Sequence, residues 1–180
     1  MGATAFSNSL YDQPYLVFTY QNATGFVNVA GQDLSADLLL VPGWTLSATY
    51  SHLDKNVWTD APGSSAANPL TSNTPKHRAT ATLRYENQPK GFSVEVRGRY
   101  ADAFTVNSGV FNSYNLGTPV PYPPVPVNAL LDVSTSWVLP VAGSPRWSVS
   151  ATNVLDNRVP TFVGVPAIGA MVMTRIQYSY

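Results

Sequence analysis

Apolar and polar residues alternate with a period of two along most of the chain, and a helical period is hard to find anywhere. From Phe92 to Tyr100, one set of positions carries Phe92, Val94, Val96, Gly98 and Tyr100, and the other carries Ser93, Glu95, Arg97 and Arg99. Ala79, Ala81, Leu83 and Tyr85 oppose Arg78, Thr80, Thr82, Arg84 and Glu86. Leu131, Val133, Thr135, Trp137 and Leu139 oppose Asp132, Ser134, Ser136 and Val138, and Trp147, Val149 and Ala151 oppose Ser148, Ser150 and Thr152. Nearer the start, Leu34, Ala36, Leu38 and Leu40 face away from Ser35 and Asp37, and Trp44, Leu46, Ala48 and Tyr50 face away from Ser47, Thr49 and Ser51. The chain closes on Val172, Thr174, Ile176, Tyr178 and Tyr180 against Met173, Arg175, Gln177 and Ser179. Successive side chains of an extended strand point to opposite faces, so the pattern predicts eight strands, at about 14–21, 26–41, 44–57, 77–88, 91–104, 129–140, 146–155 and 169–180.

The connections are of two kinds that take turns. VPGW, NQPKG and PVAGSPR are short Pro/Gly turns, and between them run the longer stretches that include WTDAPGSSAANPLTSNTPK, TVNSGVFNSYNLGTPVPYPPVPVN and DNRVPTFVGVPAI. Only the connection around QNATG is short where a long one is due. Short turns on one rim, long loops on the other and an even strand number predict an all-β, antiparallel, up-and-down transmembrane barrel. Both termini are then expected on the short-turn rim, which would be periplasmic. Outward aromatics belong at strand ends in such a barrel: Trp44, Tyr85, Phe92, Trp137, Trp147, Tyr178 and Tyr180 stand near the short turns, and Tyr20, Phe26, Tyr50, Tyr100 and Phe104 near the other rim. Phe92 to Tyr100 spans roughly 26 Å at about 3.3 Å per residue, or roughly 20 Å along the membrane normal at a tilt of about 40°.

Composition sharpens the choice of surroundings. Charged residues make up 11% of the 180 positions, less than half of the roughly 25% usual in soluble domains. A soluble β-sandwich or lipocalin-like barrel accounts for the alternation but not for the low charge or the aromatic positions. The net charge is zero and no basic run occurs, which argues against nucleic-acid binding. With no cysteine, disulfides and thiolate sites are excluded. MGATAFSNSLYDQ lacks the basic and apolar regions of a signal peptide, and no run of about 18 apolar residues predicts a membrane helix.

FTYQNATGFVNVAGQDLSADLLLVPGWTLSATYSHLD, TPKHRATATLRYE, GFSVEVRGRYADAF, SATNVLDNRVPTFVG and the final TRIQYSY stand in an order and spacing that resemble the C-terminal part of the barrel of TonB-dependent outer-membrane receptors. The resemblance covers about Pro14 to Tyr180. It departs from the family's usual pattern at Gln32 and Asp33, at Val159 and at Ala170. The family's barrel has about 22 strands around a plug. The resemblance therefore implies one domain over 1–180, with 1–13 poorly ordered, that is either part of a larger barrel lacking plug and TonB-binding segment or a truncated relative. Eight strands can also close into a small barrel. The function implied is that of a segment of an outer-membrane receptor of a Gram-negative bacterium, whose parent takes up a scarce ligand such as a siderophore-bound iron, a cobalamin or a glycan. A stand-alone porin-like small barrel and a soluble ligand-binding barrel remain the alternatives. The resemblance implies outer-membrane lipid as a partner, the barrel-assembly machinery at the aromatic C-terminal strand, and plug and TonB only in a full-length parent.

Candidate chemistry is sparse. Arg78, Arg84, Arg97, Arg99 and Arg175 share the polar face with Asp37, Glu86, Glu95 and Asp132. Buried charges require partners, so a packed ion network inside a small barrel is the plain expectation. In a complete barrel, Arg84, Arg97 and Arg99 would face the plug or an anionic ligand such as a metal chelate, since arginine grips carboxylates through two hydrogen bonds. Tyr114 and Tyr122 lie in the long Pro-rich loop and, by the resemblance, are candidates to meet a ligand at the mouth, against a stiff polyproline-like surface loop. His52 and His77 fall on different strands with no further ligand at metal spacing, so neither metal nor cofactor is expected. No G-x-S-x-G elbow occurs, and no enzymatic activity is expected.

Overall fold

The computed structural model describes residues 2–8, 13–19, 25–64, 66, 69–107, 113–115, 118–120 and 124–178, with side chains described in 25–64, 66, 69–107 and 124–178. Among these residues there is no helix. The strands are β1 (Gly2–Asn8), β2 (Gln13–Thr19), β3 (Gly31–Val41), β4 (Trp44–Leu53), β5 (Val57–Trp58), β6 (Leu70–Thr71), β7 (His77–Asn87), β8 (Phe92–Ala101), β9 (Ser113–Asn115), β10 (Thr118–Val120), β11 (Asn128–Val138), β12 (Arg146–Thr152) and β13 (Met171–Gln177). Seven of them form one sheet in the order β13-β12-β11-β8-β7-β4-β3. Every neighbouring pair is antiparallel, the up-and-down order the alternation predicts.

Register carries the two faces across the whole sheet. One row runs Asp37, Ser47, Thr82, Arg97 and Asp132, and another runs Ser148, Ser136, Ser93 and Glu86. On the opposite face, Ala36, Ala48, Ala81, Gly98 and Leu131 line up, as do Phe92, Trp137, Trp147 and Ile176. No residue of these seven strands is buried, so the sheet has no second layer and its apolar face is left open, with Leu34, Leu38, Val172 and Ile176 all exposed.

Three expectations are corrected. The segment expected at 14–21 does form a strand, but β2 pairs with β1 in a separate two-stranded sheet, and β1 was not expected. Among the described residues the main sheet therefore has seven strands, with β3 and β13 at its edges, and is open rather than closed into a small barrel. A register shift between Leu39 and Val41 places Val41, rather than Leu40, opposite Trp44; the extra residue of a bulge breaks strict alternation. Phe104 does not face outward. It is buried with Val106 and Val125 in a small core beyond the sheet, against Phe162 and Val163 of another long loop, because the Phe104–Val125 bridge draws two ends of the long connection together.

The short turns connect β3 to β4, β7 to β8 and β11 to β12 at one rim. The tightest consists of Pro42 and Gly43, with Gly43 at φ 86°, where a Cβ would come 2.6 Å from the Glu86 carbonyl oxygen. A left-handed conformation costs a non-glycine residue roughly 1–2 kcal/mol, and backbone cannot move away cheaply. Gly43→Val is expected to lower stability by at least about 1–2 kcal/mol, read as a reduced urea midpoint in detergent through Trp44 fluorescence.

Candidate functional site

Among the described residues the polar face holds three ion pairs. Arg84 donates to Glu86 at 3.1 Å and Arg97 to Glu95 at 2.9 Å, each two residues along its own strand. Arg97 Nε also donates to Thr82 across the β7/β8 ladder at 3.3 Å. These groups, with Thr45, line a shallow polar depression of about 330 Å³ near the short-turn rim. The arginines of both pairs are about half exposed, at 51% and 47%, so each pair is worth only about 0–1 kcal/mol. Both guanidinium groups remain accessible from this face. Asp37, Arg78 and Arg175 stand on the same face.

The third pair does more. Arg99 meets Asp132 Oδ2 at 2.8 Å, and the Asp132 side chain is 17% exposed. Its other oxygen accepts the Asn153 backbone N–H at 2.9 Å, which couples the polar face to the loop after β12. Asn153, buried at φ 51°, organises that loop. Its Nδ2 donates to the Asn157 and Ile168 carbonyls at 3.1 and 3.0 Å, and its Oδ1 accepts the Asn157 N–H at 3.0 Å. Asn157 in turn donates to the Ala129 carbonyl at the start of β11. Further round the same rim, Asn73 and Asn107 tie two other loops: Asn73 Nδ2 donates to the Asn107 carbonyl at 3.1 Å and Asn73 Oδ1 accepts the Asn107 N–H at 2.9 Å. Asn56 holds the Thr74 carbonyl at 2.9 Å. The long loops are thus cross-tied, and the buried residues Asn56, Trp58, Ala61, Phe104, Val106, Val125 and Asn153 all lie in them.

Asp156 is the loop's charged anchor. The Ala170 N–H and the Arg158 guanidinium hold its carboxyl below the ordinary value, through bonds of 2.9 and 3.2 Å. Gly169 must be small here, since a Cβ would come 2.5 Å from Asp156 Oδ1.

On the apolar face Trp44 packs on Tyr85, with ring centroids 4.9 Å apart. Phe92, Trp137 and Trp147 continue that row along the short-turn rim, with Tyr178 following Gln177 at the end of β13. Tyr100 stands at the opposite rim, level with Ala79 and Ala129. Tyr180 and Tyr122 lie outside the described residues, as does the side chain of Tyr114, whose backbone belongs to β9.

Sequence reasoning missed Asn153, Asp156 and the Asn73–Asn107 tie. The available signal was asparagine and aspartate in turn-rich stretches, where both residues tolerate left-handed backbone and bond to nearby main chain. It also missed that His52 and His77 face each other across β4 and β7, with Tyr50 on the same face.

Two outcomes are expected. Asp132→Ala, which strands Arg99 and the Asn153 N–H, should destabilise the chain by about 1.5–3 kcal/mol, against at most about 1 kcal/mol for Glu86→Ala; urea unfolding of the two variants checks the contrast. Because the folded-state pKa of Asp156 is lowered, its contribution is complete above the ordinary aspartate pKa of about 3.9 and is lost as pH falls through the lower folded value. Hydrogen exchange at the Ala170 amide, corrected for intrinsic pH dependence, should lose protection on acidification below about pH 4 and lose that pH dependence in Asp156→Asn.

Residues 2–155 match the family described as TonB dependent receptor-like, beta-barrel. The match begins earlier than the resemblance read from the sequence and stops before β13. No curated protein matches the chain.

Proposed function

Since the chain belongs to the TonB-dependent receptor-like β-barrel family, we propose that it forms part of the wall of a receptor in the outer membrane of a Gram-negative bacterium, whose parent takes up a scarce ligand such as an iron chelate, a cobalamin or a glycan. The observation that carries this reading is the open seven-stranded sheet, with one continuous apolar face and one continuous polar face and no buried residue in its strands. Lipid covers the first face. Aromatic rows at Trp44, Tyr85, Phe92, Trp137, Trp147 and Tyr178 mark one membrane interface, with Tyr100 at the other.

The polar face lines the lumen, and Arg84, Arg97 and Arg99 present donors to the plug or to an anionic ligand. The cross-tied long loops form the extracellular mouth, where Tyr114 and Tyr122 would meet the ligand. The free edges of β3 and β13 pair with further strands, because an unpaired backbone group in lipid costs several kcal/mol. The barrel-assembly machinery would engage the aromatic C-terminal strand.

Single-tryptophan variants in bilayers with brominated acyl chains test the placement. Quenching is expected at Trp44, Trp137 and Trp147, and none at Trp58, which is buried among the long loops; equal quenching at all four, or at none, overturns it. In the intact receptor, replacing both Arg84 and Arg97, whose exposed ion pairs add little stability, with Gln should weaken capture of an anionic ligand without lowering receptor abundance.

A further inference from the structure

We propose that His52 and His77, assisted by Tyr50, form a binding site for a divalent transition-metal ion of the Zn2+ and Cu2+ type. The two histidines are direct register partners on β4 and β7. Their rings stack with centroids 4.6 Å apart and planes at 27°, and the two Nδ1 atoms are 3.3 Å apart. Two nitrogens each about 2.0–2.1 Å from a tetrahedral ion stand roughly 3.4 Å apart, so the span already matches. The Tyr50 hydroxyl lies 2.7 Å from the same His77 Nδ1 and supplies an oxygen donor.

The metal-free arrangement is over-subscribed. His77 Nδ1 carries either one lone pair or one proton, yet both the Tyr50 hydroxyl and His52 Nδ1 are within hydrogen-bond range of it. One of those contacts is always left without a proper partner. An ion taking both imidazole lone pairs removes the conflict, with the stacked rings turning about χ2, a broad torsion, to aim them at it.

On the far side of the ring, His77 Nε2 faces Asp102 Oδ2 at 4.0 Å, and Asp102 is itself held by the Tyr100 hydroxyl at 2.6 Å. The negative charge close behind the ring favours a cation at its other nitrogen. Two imidazoles and a phenol select zinc or copper over magnesium or calcium. No third histidine, aspartate or glutamate converges on the point among the described residues, so water completes the shell and binding is weaker than at a four-ligand structural site. The pair lies one outward-facing position beyond Tyr50 and Ala79, the latter level with Tyr100, and so, on the proposed placement, on the water side of the face that lipid covers.

The test titrates the full chain, refolded in detergent, with Cu2+ and with Zn2+. One equivalent of Cu2+ should bind, with an electron paramagnetic resonance spectrum showing coupling to two nitrogens, and Zn2+ should compete for it more weakly. Loss of an outer partner costs about 10–100-fold at metal sites, so His52→Gln and His77→Gln should each weaken binding by at least about tenfold, and Gln88→Ala at the opposite rim should not. Circular dichroism verifies that each variant keeps its strands, and His52→Gln alone decides the matter if His77→Gln does not fold. Absence of binding, or affinity within about twofold of the parent in a folded His52→Gln, overturns the proposal.

Discussion

The backbone ladders between the seven strands of the main sheet are what every other feature depends on, because no residue of those strands is buried and packing within the chain does not hold the sheet. A slip of one residue in any ladder would send every side chain of that strand to the wrong face. The bulge at Leu39–Val41 is the one register shift in the ladder beside it, and it falls next to a turn, where it does not propagate. A sheet held this way needs cover on both faces. One face is apolar and ringed by aromatics, the other bears three ion pairs, and a receptor wall between lipid and a polar lumen provides both kinds of cover.

The apolar packing that the chain does possess lies beyond the sheet. Phe104, Val106 and Val125 gather against Phe162 and Val163, and asparagines bond loop carbonyls. This division follows from the setting proposed: strands in a barrel wall draw stability from surroundings and neighbours, whereas loops that reach into water must supply their own core and hydrogen bonds. Asp132 is where the two systems join, through Arg99 on one side and the Asn153 N–H on the other.

Strand positions in the main sheet, their faces and the alternation of short and long connections were legible because a period of two is a local property that needs no knowledge of neighbours. Arg84, Arg97 and Arg99 were placed on the polar face for the same reason. Their partners were not legible. Arg84 lies opposite Glu95 in register but pairs with Glu86, and Arg99 reaches diagonally to Asp132 rather than to Leu130, its register neighbour; side-chain reach and rotamer settle that choice.

Alternation in the primary structure was enough to establish an all-β chain with one apolar and one polar face, since each residue's side of a strand depends only on its parity. Which strands join the sheet, where the register shifts, that Phe104 turns into a loop core, and that His52 meets His77 all depend on contacts between residues distant in the chain. Those contacts are decided by ladder pairing and loop closure, and no local pattern encodes them.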